Sequence, residues 1–166
     1  MRSQVQVIED DSLWIKIRLF YKRIYIYAYI PSFHVIRKNK VYKNWINFAK
    51  KLIGTPYFWG GRDTIGIDCS ALIQLSKSFD GTKIPRDSID QYRYFKKSSH
   101  YSIFKLNDKV ILQKGSFLYW PGHIAIVLNK KDLLHASGFK GSVVIESISK
   151  VIKRESVIPQ LIIPHY

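Results

Sequence analysis

The hydrophobic period of this chain changes twice, and that order restricts what it can fold into. Up to residue 36, apolar side chains recur at every second position. Gln4-Val5-Gln6-Val7 alternates polar with apolar, Leu13 to Leu19 sets Ile15, Ile17 and Leu19 against Lys16 and Arg18, and Ile24 to Ile30 alternates isoleucine with tyrosine and alanine. Breaks at Asp10-Asp11 and Tyr21-Lys22 separate the runs, which predicts a small β-meander over 1–36. Three strands alone bury little, so this piece needs something to pack on. After a polar link at 37–42 the period becomes helical: Val41, Trp45, Phe48, Ala49, Leu52 and Ile53 share one face, and Gly54 with Pro56 ends it. Residues 54–68 form a glycine-rich loop. Cys69 to Phe79 is a second amphipathic helix, with Leu72, Ile73, Leu75 and Phe79 inward and Asp80-Gly81 as its stop; a short helix follows Pro85. From about residue 116 the period returns to two, with strands at Phe117–Trp120, His123–Leu128, Leu133–Ala136, Val143–Ile145 and Val157–Ile163. Helices first and strands afterwards predict an α+β domain with an antiparallel sheet.

The chain has 166 residues, 46% of them hydrophobic, which is enough for a real core and excludes a disordered chain. Lys and Arg number 27 against 12 Asp and Glu, a formal charge of +15. A basic chain suits a polyanion, but these lysines are scattered: Arg37-Lys38-Asn39-Lys40, Lys96-Lys97 and Lys130-Lys131 are the longest clusters. The absence of a clustered stripe argues against nucleic acid as the partner. The single cysteine, Cys69, excludes an intramolecular disulfide framework and a Cys-only zinc knuckle. The N-terminus is polar and acidic where a secretion signal needs an apolar core of about 7–15 residues. Ile24–Ile30 is far short of the roughly 20 residues that span a bilayer. A cytoplasmic location is the expectation, with export by another route left open. No sequence signature fixes an oligomeric state.

Chemistry concentrates where the glycine-rich loop runs into Asp68 and the helix starts at Cys69. Asp68 suits the N-cap, its carboxylate accepting from open N–H groups of the first turn. Cys69 then sits at the positive end of a helix dipole, where a thiol pKa can fall from about 8.5 towards roughly 3.5–7.5. An isolated cysteine is more often a small buried hydrophobe. Two histidines change that weighing. His123 opens a strand and His135 lies in the next, and a three-residue loop at Asn129-Lys130-Lys131 puts both on one face as diagonal neighbours. One imidazole can serve as base for a thiolate while the other fixes its tautomer. His34, His100 and His165 have no such partner and read as structural.

These residues resemble the NlpC-type cysteine peptidases, papain-like endopeptidases of bacterial cell-wall peptides. The resemblance rests on Gly54-Thr55-Pro56-Tyr57-Phe58-Trp59-Gly60-Gly61, Gly66-Ile67-Asp68-Cys69-Ser70, Pro85-Arg86-Asp87-Ser88 with Gln91, Gly122-His123-Ile124-Ala125-Ile126 and Leu134-His135-Ala136-Ser137, in the family's order over about 41–147. It implies a papain-like core, with an antiparallel sheet packed on the helix that carries the nucleophile. It implies Cys69 as nucleophile, His123 as general base, His135 as the orienting third member and Tyr57 beside the oxyanion. It implies Asp68, Ser70 and Ser88 as binders of a substrate's free ammonium end, with Arg86 and Trp59 also on the substrate side. Trp59 and Trp120 suit the cleft or core packing equally. Val5–Ile36 resembles the second half of a bacterial Src-homology-3-like barrel, which implies a partial barrel over 1–36 before a peptidase domain over 41–166. Ala71 stands where the family has glycine, and Ser116 where it has an acidic turn residue.

The expected activity is therefore hydrolysis of a cell-wall muropeptide at the bond between γ-D-glutamate and a diamino acid, with no metal and no organic cofactor. Three other readings use the same residues differently. A thiol acyltransferase or amidase keeps the Cys and His roles, a zinc site would combine Cys69, His123, His135 and Asp68, and a non-enzymatic polyanion-binding module would use only the charge.

Overall fold

The computed structural model describes residues 4–32, 35, 44–63, 65–107 and 109–165. It forms two compact units, Met1–Val41 and Tyr42–Tyr166.

In the first unit the three period-two runs form an antiparallel sheet of β1 (Gln6–Asp10), β2 (Trp14–Tyr21) and β3 (Ile24–Pro31), in that order. Ile15 and Ile17 are buried, while Lys16 and Arg18 project from the opposite face, where Lys16 pairs with Glu9 and Arg18 lies over the Tyr25 ring at 4.6 Å. Strands β2 and β3 pair from Trp14↔Pro31 to Tyr21↔Ile24. The two residues between them, Lys22 and Arg23, take φ of 47° and 67°. That left-handed pair matches the strand twist but normally calls for Asn or Gly. The polar link at 37–42, His34 and the expected helix start at Val41 lie outside the described residues.

The second unit contains four helices and a six-stranded sheet among its described residues. The helices are α1 (Trp45–Lys51), α2 (Cys69–Lys77), α3 (Ser88–Lys97) and α4 (Ile148–Glu155). The strands are β4 (Tyr101–Lys105), β5 (Phe117–Trp120), β6 (His123–Val127), β7 (Asp132–Ser137), β8 (Ser142–Ser147) and β9 (Gln160–Pro164). Their order is β4-β9-β5-β6-β7-β8, every pairing antiparallel. The α+β class and the helix-on-sheet packing agree with expectation. Strand β4 and helix α4 add to the elements expected from the sequence. Helix α2 gives way after Lys77 to a 3₁₀ turn at Ser78–Asp80, and Gly81, at φ +86°, closes it.

The sheet is covered on both faces, so β5 is buried at every position and reads as Phe-Leu-Tyr-Trp without alternation. Phe117, Tyr119, Ile124, Ile126, Leu134 and Ile162 face the cluster built by α1, α2 and α3. Leu118, Trp120, Ala125, Val127, Leu133 and Leu161 face the other way, against Ile148 and Val151 of α4. Phe95 of α3 is fully buried, stacked on Phe117 at 5.0 Å and tilted against Tyr101 at 4.6 Å. It joins α3 to both β5 and the edge strand β4. Phe95→Ala should therefore cost about 3–5 kcal/mol. A denaturant titration should show the second unit's midpoint falling with its slope unchanged; an unchanged midpoint would mean that the ring is not a core support.

Candidate active site

Asp68 builds the start of α2. Its Oδ1 accepts from Ala71 N–H at 2.8 Å, the N-cap bond, and from Ser70 Oγ at 3.2 Å; its Oδ2 accepts from Gly60 N–H at 3.0 Å. Arg86 adds a bidentate pair, Nη1 to Oδ1 at 2.9 Å and Nη2 to Oδ2 at 2.6 Å. Arg86 Nη1 also donates to Ser70 Oγ at 2.9 Å and Nη2 to the Gly61 carbonyl at 3.3 Å. Gln91, wholly buried, ties α3 to the same corner by donating to the carbonyls of Ser70 at 2.8 Å and Pro85 at 2.9 Å. Burial acts to raise the Asp68 carboxyl, but the bonds from Arg86, Ala71 and Gly60 outweigh it and hold the group below the ordinary carboxylate range.

The loop before Asp68 folds back on itself. Phe58 N–H donates to the Ile67 carbonyl, Ile67 N–H to that of Pro56, and Asp68 N–H to that of Gly61. A side chain at Gly61 would place its Cβ 2.4 Å from the Gly66 oxygen, so the approach needs a bare backbone. The loop also joins the sheet: Gly54 N–H donates to the Val143 carbonyl and Tyr57 N–H to that of Gly141. Tyr57 is half-buried, and burial together with nearby Cys69 and Asp68 raises its phenol. Trp59 is 78% exposed, whereas Trp120 is buried and donates from Nε1 to the Val157 carbonyl at 3.0 Å. Ser88 opens α3, half-buried, one residue after Asp87 at the N-cap.

Cys69 is buried, its Sγ 3.9 Å from the Gly122 oxygen in the tight turn that leads into β6. Burial pushes the thiol up; the N–H groups of Ile124, Ser70 and Cys69 oppose this, and the Asp68 charge reinforces it. The helix start thus does what the sequence predicts, and desolvation outweighs it. Strands β6 and β7 pair as Ile126↔Leu134 and Val127↔Leu133, closed by Leu128 N–H to the Asp132 carbonyl. That leaves the three-residue loop 129–131, in which Asn129 Oδ1 accepts from Lys131 and Asp132 N–H groups. His123 and His135 are diagonal neighbours on that ladder, as the loop length required. His123 Nε2 lies 2.8 Å from His135 Nδ1, with ring centroids 5.0 Å apart at 72°. The other His135 nitrogen, Nε2, lies 2.9 Å from Glu146 Oε2 on β8. Burial and the neighbouring His135 take His123 down to about 3, and burial also lowers His135 against the pull of Glu146.

The structure therefore brings Asp68, Ser70 and Arg86 together at one corner and His123 and His135 together at another, with Cys69 between the start of α2 and the turn before His123. Sequence reasoning missed Gln91's anchoring role, Glu146 and Arg154. Among the described residues, no group of three or more His, Cys, Asp or Glu side chains is arranged to hold a metal ion. His165 has local partners instead, Ser102 Oγ at 2.7 Å and the Ser99 carbonyl at 3.1 Å.

Comparison with known proteins identifies the family. The NlpC/P60 family profile matches residues 54–159. The chain belongs to the NlpC/P60 family. It is 32% identical over 106 residues to dipeptidyl-peptidase 6 of Lysinibacillus sphaericus, covering 63% of this chain and 35% of that protein. It is 30% identical over 122 residues to the peptidoglycan endopeptidase RipB of Mycobacterium tuberculosis, covering 63% and 47%. The chain thus spans about a third to a half of the length of these curated relatives. A NlpC/P60 family protein from Bacillus cereus has the same fold, with a TM-score of 0.71 at 21% identity over 95% of this chain and 53% of that one. The crystal structure of RipB superposes with a TM-score of 0.51 at 27% identity, over 63% and 56%.

Buried neutral imidazoles bind fewer protons in the folded chain than in the unfolded one. Stability should therefore fall as pH drops below the free-imidazole value of 6.5 towards the His123 value of about 3. The depressed carboxyls of Asp68 and Glu146 add to this at lower pH, since their contribution is lost on protonation. Tm measured from pH 7 to pH 4.5 should decline on the acid side, and His123→Asn should flatten the decline between pH 6.5 and 5. Identical slopes for both proteins would mean that His123 is not the group responsible.

Proposed function

We infer that the protein is a cysteine endopeptidase acting on peptides of peptidoglycan, with the bond between γ-D-glutamate and a diamino acid as its target. The observation that carries this reading is the convergence of the α2 start, bearing Cys69, on the turn before His123, whose ring is held by His135. Family membership and the names of two relatives, a peptidoglycan endopeptidase and a dipeptidyl-peptidase, support the substrate class.

The reaction follows from the residues. With burial favouring the neutral thiol, the nucleophile forms when His123 takes the thiol proton on the ring nitrogen that His135 does not hold. The sulfur attacks the carbonyl carbon, and the carbonyl electron pair moves to oxygen. The Cys69 N–H and the Tyr57 hydroxyl are the donors nearest that oxyanion in this reading. On collapse the carbon–nitrogen bond breaks, and His123 returns the proton to the leaving amine. A water molecule then gives a proton to His123 and attacks the thioester; the carbon–sulfur bond breaks and the sulfur regains its proton. A thiol acyltransferase or amidase would share the first half and differ in the acceptor. Incubation with L-Ala-γ-D-Glu-diaminopimelate and mass analysis of the products separates these readings. Hydrolysis should release diaminopimelate together with L-Ala-D-Glu bearing a free γ-carboxyl, where acyl transfer would join that dipeptide to another amine, and Cys69→Ala should abolish release while keeping the wild-type Tm. Cleavage that survives in the Ala variant would end the cysteine-peptidase reading.

Asp68, Ser70 and Ser88 are proposed to receive the substrate's free ammonium; Arg86 bonds to Asp68 and Ser70, and Trp59 is exposed on the preceding loop. Arg86 already pairs with Asp68, so an N-acetylated substrate leaves no buried charge unpaired. The loss is then one hydrogen bond to a charged group, about 1.5–3 kcal/mol. kcat/KM should be at least about tenfold higher for the free tripeptide than for its N-acetylated form. Equal values would leave Asp68 only as helix cap and partner of Arg86.

A further inference from the structure

Behind His135 lies a charged pair, Glu146 and Arg154. Glu146 stands on β8, opposite Leu133 in the ladder. Its Oε2 accepts from His135 and, at 3.0 Å, from Arg154 Nη2; its Oε1 accepts from Arg154 Nη1 at 3.0 Å. Arg154 comes from α4, and its guanidinium lies over the Phe139 ring at 4.6 Å. The His135 side chain is 1% exposed and that of Glu146 9%, so water does not compete freely for this contact. Arg154 holds the Glu146 carboxyl ionised, well below its usual range, although burial opposes this.

An ionised carboxylate accepts and does not donate. His135 Nε2 must therefore carry a hydrogen, and in the neutral ring Nδ1 is then bare. A bare Nδ1 accepts from His123, so His123 Nε2 carries the hydrogen and His123 Nδ1 is left with its lone pair. We propose that Glu146, clamped by Arg154, is a positioning residue that fixes the tautomers of both histidines and leaves His123 Nδ1 free to take the Cys69 proton. The inference rests on the assignment of Cys69 and His123 as the reacting pair. It adds two residues, from β8 and α4, that touch neither substrate nor sulfur. Charge on Glu146 also faces the imidazolium formed when His123 is protonated, through the intervening His135 ring.

The test reads the tautomers directly. In the ¹⁵N-labelled protein near pH 7, ring nitrogen shifts should show a protonated Nε2 and a bare Nδ1 on both His123 and His135. In Glu146→Ala the shifts of both rings should move to values averaged between tautomers. Alkylation of Cys69 by iodoacetamide at pH 7 should slow about tenfold. kcat for the tripeptide should fall roughly 10- to 100-fold with KM within about twofold, the acid limb of the pH profile moving as well. Glu146→Gln, which keeps an acceptor oxygen, should recover part of each effect; with Arg154→Met it carries the comparison should the Ala variant not fold. Unchanged nitrogen shifts, or wild-type alkylation rates in the variants, overturn the proposal. Shifts and alkylation that respond as expected, in a protein that cleaves no wall peptide, uphold it and reject the peptidase substrate instead.

Discussion

Five donors converge on the carboxylate of Asp68, and they come from three separate segments of the chain. Gly60 belongs to the loop, Ser70 and Ala71 to the first turn of α2, and Arg86 to the stretch before α3. A carboxylate left without these partners in a largely buried position would be costly, so the loop, the helix start and Arg86 hold one another in place. The cysteine side of the site inherits its position from this junction. Cys69 follows Asp68 directly, and Tyr57 is fixed by the same loop through its bonds to the sheet at Gly141. Gln91 repeats the logic with neutral groups, joining the Ser70 and Pro85 carbonyls.

The histidines depend on a different constraint, the stagger of one hairpin. A loop of three residues fixes which side chains share a face, and a shift of one position would send His135 to the α2 side of the sheet. The helix with the cysteine and the His123–His135 pair therefore lie on opposite faces of the sheet. They meet only at the end of β6, where the turn at Pro121-Gly122 brings the chain past the sulfur. Such a site tolerates little change in the turn. Gly122 holds φ +84°, a backbone region that a side chain rarely enters.

Much of this was legible because local rules decide it. The strand periods, the N-cap at Asp68 and the parity of His123 and His135 each follow from spacing within a dozen residues or so. What escaped the sequence was set by contacts that no local period marks. Glu146 occupies a strand position where a polar residue ordinarily faces water, and only the register of β7 against β8 carries it to His135. Arg86, grouped with the substrate side by resemblance, meets Asp68 eighteen positions away across two loops whose path no period encodes. Helix α4 did leave a signal, Ser147 followed by Ile148, Val151 and Ile152 at helical spacing with Lys153 and Arg154 in the last turn, but eight residues between two strands make a weak pattern. Trp59 and Trp120 look alike in sequence. A loop exposes one and a doubly covered strand buries the other. The thiol shows competition between two legible effects: the helix start favours charge, and the burial that opposes it emerges only from packing.

Among the described residues, strand β3 of the first unit lies at the edge of its sheet, and from Ile24 to Ile30 it carries no charge and no proline. Uncharged, alternating and rich in isoleucine and tyrosine, such a stretch is a template for pairing with another chain. The residues that flank it oppose this. Lys22 and Arg23 put two positive charges at one end, and Pro31 withholds a backbone donor at the other. The Lys-Arg turn, costlier in backbone terms than Asn-Gly, thus sets two positive charges beside a strand that has none of its own.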